Sequence, residues 1–278
     1  MTLSIFAAIL LAALLHALWN ALAKRQAEGR VSVLLVSLCS GLFSLPFLPL
    51  VGWPAPVEYP WLALSILLHC GYCLFLGRAY RLGEFGQIYP LARGSAPLVT
   101  LLLGALLLGE VPGVVAVAGA MVLVGGVLLM AWRGGIRLAP AALCAVLITA
   151  LFTAAYTLSD GVGARSAGEP IRYTLWLFTL TALMMPLLMR WQSRTALRSL
   201  TRAEWYSGAL GGALSLLAYG IVIWAMTRAP IGLVAALRES SVLFAVLLSW
   251  LWLGERLGRV RLMAALVILC GILLIRLG

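Results

Sequence analysis

The stretch RGSAPLVTLLLGALLLGE, residues 93–110, returns 145 positions later as RESSVLFAVLLSWLWLGE, residues 238–255, and the two match without a gap at nine of 18 positions. Leu matches mean little in so apolar a chain, but Arg93 falls on Arg238 and Glu110 on Glu255. The same shift lays Gly113 on Gly258 and Gly126 on Gly271, and a slightly different one lays Trp19 and Asn20 on Tyr156 and Thr157. A repeat of this length divides the 278 residues into two units, 1–133 and 134–278.

What each unit is made of follows from its solvent. The chain is 63% hydrophobic and only 10% charged, with a mean hydropathy of +1.07, whereas a soluble domain carries roughly 25% charged residues. A soluble fold is excluded. Because a bilayer-crossing helix needs about 20 apolar residues, the expected fold is an all-α membrane protein of ten transmembrane helices. The apolar spans fall near 3–23, 31–50, 60–80, 85–108, 112–131, 140–159, 171–189, 205–227, 230–253 and 259–276. Each repeat therefore holds five crossings, and an odd number makes the second enter from the opposite side, giving two inverted five-helix repeats.

The net charge of +11 would suggest nucleic acid if it lay on one solvated face. Instead the cations sit in short loops such as KRQAEGR, RGGIRLAP and RWQSRTALRSLTRAE, so no nucleic-acid partner is expected and the charge reports topology. Loops after odd-numbered spans hold 14 Lys and Arg, and the side with both termini holds four: Arg165, Arg172, Arg228 and Arg276. Cytoplasmic loops carry the excess, which puts both termini outside the cytoplasm of a cell (inner) membrane. The row Arg190, Arg194, Arg198 and Arg202, at i, i+4 spacing, suits a surface helix on anionic headgroups.

The two remaining cations, Arg93 and Arg238, lie eight or nine residues inside spans 4 and 9, roughly 12 Å deep at 1.5 Å per residue. Arg near the midplane costs about 2.5–3.5 kcal/mol even on the lenient insertion scale, so each must face protein or a wet cavity. Either these residues bond carbonyls loosened by Pro90, Gly94 and Pro97, or they form a cationic pocket for a carboxylate, phosphate or phosphonate; the two roles are compatible. Polar stripes at helical spacing surround them: His16, Trp19 and Asn20 in span 1, Tyr72 with His69 in span 3, Thr149, Thr153, Tyr156, Thr157 and Asp160 in span 6, Tyr219 and Trp224 in span 8, Ser240 and Ser241 in span 9. The candidate substrate-binding set is Arg93, Arg238, His16, Trp19, Asn20, Tyr72, Tyr156, Tyr219, Trp224 and Ser241. His16 and Glu239 are the candidate proton carriers, although Glu239 also suits the neutralisation of Arg238. Glu110 and Glu255, ahead of Pro112 and Leu257, are assigned a structural role at the N-termini of the helices that follow.

Other motifs yield less. Cys70 and Cys73 have CxxC spacing after His69 but lack a second ligand pair, so no metal is expected, and an odd five cysteines make a poor disulfide framework. An A-x-A pattern at Ala21–Ala23 lacks the basic leader of a cleaved signal. Neither HExxH nor Asp-rich metal pairs occur and only two His exist, so no cofactor and no enzymatic activity are expected. Small residues, Gly208 and Gly212 in span 8 and Gly119 and Gly126 in span 5, provide the close helix approaches a bundle needs.

Ten spans in two halves, each ending in LGE (Leu108–Glu110 and Leu253–Glu255), resemble the drug/metabolite transporter superfamily, specifically its EamA-type members, over nearly the whole chain. HALWNALAK from His16, GQIYPLARGSAP from Gly86, AAYTLSDG from Ala154 and AALRESSVLF from Ala235 are similar to a subgroup found with phosphonate-utilisation genes. The resemblance implies a permease, usually an exporter, for a small metabolite held in a central cavity between the halves; a monomer is favoured. A flippase for a phosphate-bearing lipid carrier is the alternative, and an intramembrane enzyme a more distant one. Familiar members keep both termini in the cytoplasm, whereas the charge count here puts them outside. The mechanism expected is alternating access by rocking of the two halves, with bends at Pro90, Gly94 and Pro97 in span 4 and at the RESS stretch of span 9.

The charge count is directly testable. A reporter active only in the periplasm, fused after Gly278, is expected to give signal there, and one fluorescent only in the cytoplasm to stay dark; the reverse pattern would overturn the assignment.

Overall fold

The computed structural model describes residues 1–24, 29–83, 85–131, 139–166, 168–188, 201–253 and 258–278. Among them the chain is entirely helical: α1 (Leu3–Lys24), α2 (Gly29–Ser44, continued by the short turns Leu45–Phe47 and Leu48–Val51), α3 (Tyr59–Leu82), α4 (Phe85–Leu108), α5 (Val114–Ala131), α6 (Pro140–Ser166), α7 (Pro170–Leu188), α8 (Arg202–Met226), α9 (Ile231–Arg238), α10 (Ser241–Leu253) and α11 (Arg259–Leu277). Helices are what the composition demands, since only a helix satisfies every backbone N–H and C=O within its own segment in lipid. Eight stretches among the described residues are long and apolar enough to cross a bilayer. Many large apolar side chains, Leu67, Leu106, Leu107, Leu151 and Leu266 among them, are exposed, as lipid-facing surfaces require. The basic row Arg190, Arg194 and Arg198 lies outside the described residues.

Most helix packing joins one half to the other. The helix α3 runs along α6 and α1 along α8, a pair of contacts that exchange when the halves are exchanged; α2 against α7 and α5 against α11 map onto themselves. The helix α4 is enclosed by α5, α6 and α9. This arrangement is the ten-helix, two-repeat architecture that the 145-residue shift implies.

The bend expected in span 4 needs correction, whereas the one expected at the RESS stretch of span 9 is found. Despite Pro90, Gly94 and Pro97, span 4 is one continuous helix, Phe85–Leu108. Each Pro deletes one backbone hydrogen bond, but Gly94 packs so closely on Leu128 of α5 that a Cβ there would come within 2.8 Å of its Cδ2, and enclosure holds the helix together. Span 9 does break, between α9 and α10. There Glu239 and Ser240 donate their N–H groups to Ala236 and Leu237, three residues back, in place of the four-residue ladder. All eight residues of α9 are buried.

The LGE motif has a local cause. Gly109 takes φ 65° and ends α4, a left-handed conformation that suits Gly, while the Glu110 N–H turns back to the Gly104 carbonyl at 3.1 Å. The carboxylate of Glu110 then accepts the backbone N–H of Ile231 at 2.8 Å and is bonded by Arg165. Glu110 therefore meets a helix N-terminus, but that of α9 in the other half rather than that of α5, which follows it in sequence. Arg165 also donates to the carbonyls of Met226 (2.6 Å) and Ala229 (2.8 Å), tying together the ends of α4, α6 and α8. Glu255 lies outside the described residues.

The α5–α11 seam is tight enough to test. A Cβ at Gly126 would lie 2.9 Å from the Ile268 nitrogen, and one at Gly119 would lie 2.6 Å from the Ile275 nitrogen, whereas Gly125 faces open space. Gly126→Leu is expected to destabilise the fold by about 1–3 kcal/mol, read as a lower melting temperature in detergent. Gly125→Leu, one residue away on the lipid face, is expected to melt like the parent.

Candidate functional site

Where α3, α4, α6 and the α9–α10 break converge, Tyr72, Leu76, Ala92, Arg93, Ala96, Thr153, Tyr156, Arg238 and Glu239 line one small pocket, about 320 Å³ counting its open mouth. Four of the expected binding residues, Arg93, Arg238, Tyr72 and Tyr156, are thus in one place. The two Arg, related by the internal repeat, approach it from opposite halves.

Glu239 organises them. It is 1% exposed, and its Oε2 accepts the Arg93 Nε–H at 3.1 Å, while its Oε1 stands 3.8 Å from Arg238 Nε. Arg238 Nε is buried without a hydrogen-bond partner among the described residues, and its guanidinium lies 5.9 Å from the Tyr219 ring centroid, close enough for cation–π attraction. The helix break supports both charges. Arg238 is the last residue of α9, where the carbonyl end of a helix favours a cation, and Glu239 precedes α10, whose N–H end favours an anion. Two guanidiniums thus face one carboxylate in the pocket. A carboxylate or phosphate fits such a fork, because a guanidinium grips either with paired hydrogen bonds.

The other expected residues form a second tier. His16 is close enough to both guanidiniums to feel their charges; its Nδ1 accepts the Trp19 Nε1–H at 3.1 Å, and its buried Nε2 has no partner among the described residues. Asn20 spends its amide on the His16 carbonyl at 2.7 Å, so it serves the helix backbone. Tyr219 donates to Asp160 at 2.6 Å. Ser241 is buried at the first turn of α10, beside Ser240, whose hydroxyl is buried and unpartnered among the described residues. Trp224 packs against the main apolar core and carries the Arg228 guanidinium at 4.9 Å; it does not line the pocket. Thr149 and Thr153 bond their own helix at Ala145 and Thr149.

Sequence reasoning placed Asp160 on a polar stripe but gave it no role, and left out Tyr173 and Ser65. Asp160 is completely buried and accepts Tyr173 OH at 3.2 Å and Tyr219 OH at 2.6 Å. Its signal was an acid one helical turn beyond Tyr156; its partners, on α7 and α8, could not be found by spacing. His69 stacks on Tyr156 with centroids 3.9 Å apart and bonds the Ser65 carbonyl through Nδ1 at 3.0 Å. None of the five cysteines is paired.

A comparison with curated proteins finds no match. A solved structure, described as a crystal structure of a protein, is 21% identical with a TM-score of 0.78 and covers 98% of this chain and 98% of that one; at that identity the likeness is one of fold. The EamA-like transporter family matches residues 3–132 and again residues 140–277, on either side of the boundary the repeat draws. With both halves of the ten-helix bundle matched, this multi-pass membrane protein belongs to the EamA-like transporter family.

Proposed function

We propose that the protein carries a small polar metabolite bearing an acidic group, anionic or zwitterionic, outward across the inner membrane by alternating access, and that the pocket between Arg93 and Arg238 is its binding site. The observation that carries this reading is the pair of repeat-related guanidiniums sharing one carboxylate, which leaves a buried positive charge and an unpartnered Arg238 Nε. An acidic ligand would satisfy both. His16, Trp19, Tyr72, Tyr156, Tyr219 and Ser241 would shape the rest of the site, and the units 1–133 and 134–278 would rock about it. Because the site's two sides come from different halves, their relative motion opens it alternately to each face.

With both termini outside, the loop around Arg194 would face the cytoplasm. Likeness of the stretches at His16, Gly86, Ala154 and Ala235 to the phosphonate-associated subgroup makes phosphonates one ligand class among the acids to try. The reading is of a carrier and not an enzyme.

A thermal-shift screen of the purified protein against amino acids, organic acids, phosphonates and lipid phosphates tests it. A soluble acid is expected to raise the melting temperature by a few degrees, since ligand at about 100 times its Kd stabilises by about 2.7 kcal/mol. Arg238→Gln is expected to weaken that ligand roughly tenfold to a hundredfold, the worth of a hydrogen bond to a charged group. A shift only with lipid phosphates would favour the flippase reading, and one indifferent to Arg93 and Arg238 would overturn the pocket assignment.

A further inference from the structure

Asp160 is the buried acid that the anion pocket does not use. It is 0% exposed, and among the described residues no Lys or Arg lies within ion-pair distance of it. Two hydroxyls donate to it, those of Tyr173 on α7 and Tyr219 on α8. From α3 it is faced by Ser65 and His69, and Tyr156 lies on its own helix. The next charged groups out are Arg238, against Tyr219, and Glu58, near Tyr173. A carboxylate surrounded by neutral donors in a low-dielectric interior is costly to keep ionised through a whole cycle. Glu239, by contrast, is held by Arg93.

Two contacts connect Asp160 to the pocket. The Tyr219 hydroxyl donates to Asp160 Oδ2 while its ring carries the Arg238 guanidinium. His69, beside Asp160, stacks on Tyr156, which lines the pocket. A change at Asp160 therefore reaches both Arg238 and the pocket wall through one side chain each.

We propose that Asp160, clasped by Tyr173 and Tyr219 and joined through Tyr219 and Tyr156 to the pocket, is the site at which a proton binds and is released to couple transport. In the bound state the carboxylate gains an O–H, and the Tyr219 hydroxyl turns from donor to acceptor or lets go. In the released state that proton returns to water on the other side, and Tyr219 donates again. No other reactant is needed. The proposal puts the coupling role here, where the sequence alone suggested His16 and Glu239. The proposal adds a coupling ion to the carrier reading, and its test needs no substrate.

The test uses the full-length protein in detergent and follows the carbonyl stretch of protonated carboxylic acid by infrared difference spectroscopy against pH. A titrating band is expected in the parent, lost in Asp160→Asn and kept in Glu239→Gln and Glu58→Gln. Tyr219→Phe, which removes a donor to the ionised form, is expected to strengthen proton binding about tenfold; it tests the assignment even where Asp160→Asn fails to fold. Coupling is read separately with the five native cysteines replaced and Ala96→Cys placed on the pocket wall. Its maleimide labelling rate is expected to change with pH at the midpoint of the band, and to be flat in Asp160→Asn. A band unmoved by both Asp160→Asn and Tyr219→Phe, or labelling that keeps its pH dependence without Asp160, would overturn the proposal.

Discussion

One carboxylate shared by two guanidiniums is the constraint around which this molecule is organised. Glu239 is buried to 1% exposure between Arg93 of the first half and Arg238 of the second. Removing one partner of a buried ion pair typically costs about 3–5 kcal/mol, because the other charge is left unpaired. Two such cations within a helix bundle call for that acid between them, and the acid sits at the break between α9 and α10. The broken helix and the enclosure of α4 by α5, α6 and α9 surround these charges.

The same charges set what the site can hold and how it could respond. On the proposed reading, two guanidiniums against one carboxylate favour an anion over a cation, whatever the rest of the ligand looks like. Asp160 lies one helical turn from the pocket wall, linked by Tyr219 to Arg238. On the account offered here, cargo and coupling ion occupy neighbouring sites bridged by single aromatic side chains. Towards the face bearing both termini, Glu110 and Arg165 clamp the ends of α4, α6 and α8 to the start of α9, a network of charged hydrogen bonds that the proposed cycle would have to break on that side.

The spans and the pairing of Arg93 with Arg238 were legible because repeat symmetry leaves a mark that survives the loss of most identities. Arg93 and Arg238 converge because symmetry-related positions near an axis must meet. Helix continuity was legible in one half only, since the repeat marked the RESS stretch of span 9, where the chain does break. Pro90 and Pro97 argue locally for a bend in span 4, yet packing keeps α4 whole. The partner of Glu110 was not legible, since Ile231 is 121 residues away and the nearer helix start at Pro112 offered a plausible substitute. Tyr173 escaped notice because Tyr in a membrane span is commonplace, and only the fold brings it and Tyr219 to Asp160.

A double-mutant cycle on Arg93 and Glu239 probes the central interaction most directly. Arg93→Gln and Glu239→Gln alone are each predicted to destabilise the purified protein by about 3–5 kcal/mol, and the double variant to lose clearly less than their sum, since it strands no charge from that pair. Additive losses, or singles that melt like the parent, would mean that the two halves do not depend on this shared carboxylate.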